Sequence, residues 1–250
     1  MPPTESFTDS PESIAISHLT TSPTSSPTST ATTLAQPIES AFHTKSPTSD
    51  IEQRLWSLWN AVLHHAVCKS ADPDGQQRLR ELVTKIQCLP DVRREEDGAE
   101  CTVFSKKLWS ELPVFSAAMR EWWDKKSLLD SDKASDPESQ KEWVELNAFA
   151  AILTASAPST PATDFSLYGL WTLREALEDP VEADEVPTAA VRAASVWFEY
   201  AAQRLWELSK EGKTFEGKVA REGKGFAGRE WRGYGEERWQ AWTERPLRLR

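Results

Sequence analysis

The chain has 250 residues and a formal net charge of −10, with twelve tryptophans and three cysteines. Its acidity leaves no basic footprint for a phosphate backbone, and the odd cysteine count without repeating spacing argues against a disulfide framework. No apolar run of 18 residues and no basic, apolar leader is present, so secretion and membrane insertion are disfavoured and a cytoplasmic or nuclear setting is expected.

Twenty-two of the first fifty residues are Ser or Thr and seven are Pro. Such a composition predicts a disordered tail over residues 1–49, because few apolar groups are available to offset the entropy of ordering the backbone. Ser10, Ser22, Ser26 and Ser46 each precede a proline and are candidate sites for a proline-directed kinase. Order is expected from Ser49-Asp50-Ile51-Glu52, which reads as a capping box. Beyond it, Ile51, Leu55, Leu58, Trp59, Val62, Leu63, Ala66 and Val67 recur at helical spacing.

After Asp72-Pro73-Asp74-Gly75, a second helix is marked by Leu79, Leu82, Val83 and Ile86 and stops before Pro90. A polar loop over 90–107 leads to a third helix, with Pro113 as its first residue and Phe115, Met119, Trp122 and Trp123 on its buried stripe. Asp136-Pro137 opens a fourth, with Trp143, Leu146, Ala150 and Leu153 on one face and Asn147 inside that face. The fifth, from about Asp164, is apolar nearly all round and is expected to be central. Pro187 begins a sixth, with Val191, Ala194, Phe198, Ala201, Ala202, Leu205 and Leu208 as its stripe. Seven of the ten glycines then fall between Gly212 and Gly235, before a short amphipathic segment that carries Trp239 and Trp242. The expected fold is all-α, an irregular bundle of six to seven helices without a sheet: one domain over 50–243, behind the N-terminal tail and followed by a C-terminal tail at 244–250.

Several apparent motifs fail on context. Gly223-Lys224-Gly225-Phe226-Ala227-Gly228 fits G-x-G-x-x-G, yet the segment before it is charged rather than a buried strand, and too little chain follows for a dinucleotide fold. His64 and Cys68 lie one turn apart without a second ligand pair, so they read as packing rather than zinc binding. Asp130, Asp132 and Asp136 sit in a solvated polar stretch instead of on an apolar helix, so neither a metal nor a cofactor is expected. A nucleophile would need a base, and the segment expected to fold holds only His64 and His65. Basic residues through Lys210–Arg232, with Arg245, Arg248 and Arg250, are offset by Glu211, Glu216, Glu222 and Glu230, which argues against nucleic acid.

One polar constellation stands inside the helical pattern: Asn147 on the fourth helix with Arg174, Glu175 and Glu178 on the fifth, beside Trp143 and Trp171. Arg174 and Glu178 are one turn apart, so a charge in a core-facing position has a local partner. The group reads either as a strut between two helices or as the wall of a small-molecule pocket.

Taken in order, Leu55–Asn60 (LWSLWN), Leu108–Pro113 (LWSELP), Met119–Trp123, Trp143–Leu153 (WVELNAFAAIL), Leu170–Glu178 (LWTLREALE) and Glu237–Trp242 (ERWQAW) resemble a fungal family of uncharacterised proteins, domain of unknown function 3632. The resemblance implies a helical domain without an established activity, and the Gly-rich stretch with Trp231 is similar to the family's segment before its final helix. From a helical body without a nucleophile constellation, behind a flexible tail, function is expected to be that of a non-enzymatic interaction domain with an unknown protein partner and a phosphorylatable tail. The alternative is a small-molecule-binding protein or enzyme with its pocket between the fourth and fifth helices.

Overall fold

The computed structural model describes residues 10–69, 73–128, 131–156, 161–179 and 188–245. Asp72, Asp130, Pro187 and the C-terminal residues 246–250 lie outside them. Among the described residues are ten α-helices and one two-stranded hairpin, and none of the helices is long and apolar enough to cross a membrane. The chain divides into two compact units, with the main boundary at Lys126–Ser127, inside the charged stretch that follows Trp123, and with Pro161 and Ala162 belonging to the first.

The first unit contains two helices that composition had assigned to a disordered tail. Helix α1 spans Pro11–Thr21 and α2 spans Pro27–His43. Their serines and prolines are start signals, not breakers. Ser10 and Ser26 are N-caps whose side chains accept from Ser13 N–H at 3.1 Å and Ser29 N–H at 3.4 Å, and Pro11 and Pro27 occupy the first helical positions, where no N–H is needed. Ile16 and Leu19 of α1 are buried, as are Ala31, Leu34, Ala35, Ile38, Ala41 and Phe42 of α2. That spacing places one apolar face on each helix. Several threonines turn their hydroxyls back onto carbonyls one turn earlier, as Thr32 and Thr33 do to Thr28 and Ser29.

Both helices pack on α3 (Thr48–His64) and α4 (Pro73–Gln87). Polar contacts fasten the joint. The Arg78 guanidinium donates to the carbonyls of Leu19, Ser22 and Ser25, Trp109 Nε1 donates to Glu39 at 2.9 Å, and Arg94 lies 4.6 Å over the Phe42 ring. Helix α3 begins ahead of the expected capping box, which does not form: the N-cap is Pro47, without a side-chain bond, and Ser49 turns to Asp50 instead. Its stripe is as expected, with Leu55, Leu58, Trp59 and Leu63 fully buried. A π-helical turn, His65–Lys69, follows, and Gln76 Nε2 caps its Ala66 carbonyl at 2.8 Å.

Within the expected loop, β1 (Thr102–Val103) and β2 (Lys106–Lys107) pair antiparallel, with Thr102 opposite Lys107. The strands are too short to show alternation, which is why the pattern gave no strand. Phe104 and Ser105 join them at φ 51° and 60°, a left-handed pair more usually built from Asn and Gly. Helix α5 (Phe115–Lys126) starts two residues after Pro113, whose carbonyl is taken by the Trp59 indole at 3.2 Å.

The second unit holds α6 (Ser131–Ser135), α7 (Pro137–Ala155), α8 (Ser166–Leu177), α9 (Thr188–Glu211) and α10 (Glu236–Glu244). Asp136, considered above as a metal ligand, caps α7 by accepting from Ser139 N–H at 2.8 Å. Helix α7 is the central one of this unit, in place of α8: every residue from Leu146 to Thr154 is buried, and its pairing with α9 is the most extensive among the described residues. Tyr168 and Trp171 keep one side of α8 half-exposed. On α9 the inward aromatic is Trp197, fully buried, whereas Phe198 and Ala202 are half-exposed. Gly169 permits the approach of α8 to α9, because a Cβ there would meet the Trp197 ring at 2.7 Å.

Candidate functional site

Asn147 is completely buried, and its side chain joins three helices. Its Nδ2 donates to the Trp143 carbonyl one turn back on α7 (2.9 Å), while Oδ1 accepts from Thr172 of α8 (2.7 Å) and from the Trp197 indole of α9 (2.8 Å). A carbonyl oxygen with both lone pairs taken is satisfied, which is what makes so deep an amide tolerable. Trp143 is itself 4% exposed.

Glu178 closes α8 and has no exposed surface. Its partner is Arg238 of α10, sixty residues on, and not Arg174. Glu178 Oε1 accepts from Arg238 Nε and Trp242 Nε1, both at 2.7 Å; Oε2 accepts from Arg238 Nη2 at 2.9 Å and from Gly223 N–H at 2.7 Å. Arg238, 1% exposed, spends its remaining donors on the carbonyls of Ala220, Gly233 and Arg221. The G-x-G-x-x-G segment thus has a physical task unrelated to nucleotides. Gly223 lies against Glu178 so closely that a Cβ would come within 2.5 Å of the Glu178 Cβ, and Gly225 N–H donates to the Glu178 carbonyl. The amides that a dinucleotide fold would aim at a pyrophosphate are turned here on Glu178, Gly223 N–H on its carboxylate and Gly225 N–H on its backbone carbonyl.

Arg174 lies apart from this pair and donates to the carbonyls of Val219, at 3.2 Å, and Arg221, at 3.5 Å. The Trp171 indole reaches the same Val219 carbonyl at 2.8 Å. Glu175 points to the surface, where crowding by neighbouring atoms and then the Asp179 charge push its carboxyl pKa up, against the pull of Arg174. The six residues singled out from sequence therefore divide into the Asn147 joint with Trp143, the buried end at Glu178, and a surface group of Trp171, Arg174 and Glu175.

Missing from that constellation are the residues of a groove between the Gly-rich segment and α10. It has a volume of about 410 Å³ and is lined by Phe226, Trp231, Ala241 and five polar side chains. Phe226 and Trp231 lie 5.2 Å apart at 32°, with the Arg245 guanidinium 5.9 Å from the Phe226 ring and the buried Arg238 guanidinium 5.4 Å from the Trp231 ring. Around the rim, Glu237 accepts from Arg229 at 2.7 Å and from the Trp231 indole at 3.2 Å, and Gln240 donates to Glu244 at 2.7 Å. Trp231 stands outside any helical stripe, so periodicity gave no sign of it.

The remaining reactive groups are placed as follows. Ser13 Oγ lies 2.9 Å from His65 Nε2, but the two residues are 3% and 4% exposed, so the bond fastens α1 without opening to solvent. Cys101 is buried and its thiol pKa is pushed up to about 11, chiefly by desolvation; Cys88 is exposed and Cys68 half-buried, and none of the three is in a disulfide. Among the described residues no three His, Cys, Asp or Glu side chains converge as a metal site.

No curated protein and no solved structure matches the chain. A family model does: it spans residues 59–245, from the middle of α3 to the end of α10 and through the Asn147 joint, the Glu178 cradle and the groove. The chain belongs to that family, the proteins of unknown function designated DUF3632.

Proposed function

We propose that the protein is a non-enzymatic interaction domain that docks a peptide segment of a protein partner in the groove between the Gly-rich segment and α10. The observation that carries this reading is the groove's make-up, an aromatic centre of Phe226 and Trp231 ringed by Arg229, Glu237, Gln240, Glu244 and Arg245. Apolar, aromatic centres with polar rims are the usual anatomy of protein interfaces. The alternative of a small-molecule site between α7 and α8 has less in its favour, since the groups it would use, Asn147 and Glu178, are engaged by Thr172, Trp197, Arg238 and Trp242. Cys68, Cys88 and Cys101, none of them in a disulfide, suit a reducing compartment, cytoplasmic or nuclear.

Regulation belongs to the N-terminal helices in this reading. Ser10 and Ser26 are helix caps, so a phosphate on either would stand at the positive end of a helix dipole and tighten the helix instead of melting it. Ser22 and Ser46 flank the same helices. Phosphopeptide mapping of the protein from its native cells decides whether any of the four is used.

The docking surface is tested with a photo-cross-linking residue at Gln240 on the rim and, as control, at Glu199 on the exposed side of α9. A discrete adduct at position 240, abolished by Trp231→Ala, is expected. Equal labelling at both positions would remove the groove from consideration.

A further inference from the structure

Arg238 does not depend on Glu178 for its position. Its Nη1 is held by two carbonyls, Ala220 and Gly233, at 2.8 Å each, its Nη2 also reaches Arg221 O at 3.1 Å, and the rings of Trp231 and Trp242 lie 5.4 Å from its guanidinium carbon. Gly223 is fixed by neighbours as well: Gly225 N–H binds the backbone carbonyl of residue 178 at 2.7 Å, and Lys224 N–H binds Asp179 at 3.1 Å. None of these contacts uses the Glu178 side chain. The four donors that surround its carboxylate are therefore organised in advance, as in a receptor built before its ligand arrives.

We infer that Arg238, Gly223 and Trp242 form a carboxylate-binding cradle with an exchangeable occupant: the Glu178 side chain fills it in this chain, and a free carboxylate of formate or acetate size enters when that side chain is cut back. The inference is independent of the docking reading. A carboxylate has two oxygens in one plane, and the cradle offers two donors to each, the Arg238 fork with the Trp242 indole on one side and the Gly223 amide on the other. Tetrahedral phosphate would bring further oxygens against buried indole surface with no donor to meet them. Chloride is a single centre: it can sit in the Arg238 fork but cannot also meet the Trp242 indole and the Gly223 amide on the two flanks. Because α8, the Gly-rich segment and α10 all meet at this anion, its occupancy adds to the stability of a joint whose donors are already in place.

Glu178→Ala in the full chain tests the assignment. Its thermal midpoint and the exchange protection of the Gly223 amide should fall, and both should recover in a saturable way with sodium formate or acetate, while chloride and phosphate at equal ionic strength do not restore them. A site with Kd near ~10 mM raises the folding constant about tenfold at ~100 mM ligand, well within reach of amide exchange. Wild type, with its cradle filled, should show no such carboxylate-specific gain. A folded Glu178→Ala protein indifferent to formate and acetate would overturn the inference. Should the variant not fold in chloride, refolding from urea in formate decides: recovery in formate alone supports the cradle, and failure in both salts counts against it.

Discussion

Glu178→Gln is the sharpest perturbation of the second unit, because it keeps the side chain's shape and removes only its charge and half of its acceptors. Arg238 and Glu178 are 1% and 0% exposed, so solvent cannot replace what is lost. Whichever way the amide is turned, its NH2 meets two donors, either Arg238 Nε with Trp242 Nε1 or Arg238 Nη2 with Gly223 N–H. Removing one partner of a buried ion pair costs about 3–5 kcal/mol. The carbonyls of Ala220, Gly233 and Arg221 still neutralise part of the guanidinium's demand, which places the expected loss near ~3 kcal/mol, at the lower end of that range. Each 1.4 kcal/mol is a factor of ten, so local opening of the Gly223 amide should rise more than ~100-fold. Urea denaturation with near-ultraviolet dichroism of the tryptophans, alongside exchange at Gly223, reads both quantities. The double variant Glu178→Gln with Arg238→Met should cost less than the sum of the two single variants, since it no longer leaves a buried cation unpaired. A loss under ~1 kcal/mol for the single variant, or no coupling between the two positions, would refute the account of a satisfied but unforgiving pair.

Deleting residues 1–47 should cost the first unit its cooperative unfolding and raise binding of a hydrophobic dye, because it uncovers the α3 and α4 surfaces that α1 and α2 bury; an unchanged urea midpoint would mean that these helices are ornaments. Burial alone would raise the pKa of Asp164, but bonds from Lys213 and Ser166 outweigh it and hold the carboxyl below its ordinary value. A depressed carboxylate contributes stability above its unfolded pKa near ~4 and loses it as pH falls through the folded value. Asp164→Asn should therefore lower stability at pH 7 and flatten its decline in acid, as a pH series of urea melts would show. Native alkylation with iodoacetamide should label exposed Cys88 first and spare Cys101, which is 1% exposed and has its thiol pKa pushed up to about 11; mass spectrometry of tryptic peptides gives the order, and early labelling of Cys101 would contradict its burial. Ser105→Gly should raise the stability of the first unit by about 0.5–1 kcal/mol, since glycine adopts φ 60° without the Cβ clash, and a loss in urea melts would show that the serine side chain matters more than the backbone.

The helical stripes of α3, α4 and α7 are legible in the sequence because each consists of large apolar residues at spacings of three and four, and Leu55, Leu58, Leu79, Leu82, Leu146 and Leu153 are all buried where that spacing puts them. Helices α1 and α2 escape the same reading for a compositional reason. Their caps and exposed faces are made of Ser, Thr and Pro, which dominate any average over the segment, while Ile16, Leu19, Leu34, Ile38 and Phe42 keep helical spacing beneath it. The pairs Ser10-Pro11 and Ser26-Pro27, each followed by such a stripe, were the available signal, since the same arrangement at Asp136-Pro137 was read as the start of α7. Glu178 and Asn147 were recognisable as polar residues in core positions, but their partners were not. Sequence proximity favours Arg174, one turn away, over Arg238, and only the return of the chain through Gly223 and Gly233 brings Arg238 alongside.

The abundance of tryptophan accounts for much of the buried polarity. An indole taken out of water leaves an N–H that costs roughly 1–3 kcal/mol if it finds no acceptor. The chain has only two asparagines, and both serve this need: Asn60 accepts from Trp122 and Asn147 from Trp197, each at 2.8 Å. Glu39 does the same for Trp109 and Glu178 for Trp242, and backbone carbonyls of Pro113 and Val219 serve Trp59 and Trp171. In each case donor and acceptor belong to different elements, so one bond both satisfies the indole and sets how two segments meet. A buried Asn or Glu in a chain this rich in tryptophan is thus first a ring acceptor, and it becomes evidence for a ligand only where no indole claims its oxygen. Glu237 fits neither description fully. It accepts from the Trp231 indole at 3.2 Å yet stands exposed on the groove rim, which makes it an indole acceptor placed where a groove ligand could compete for it.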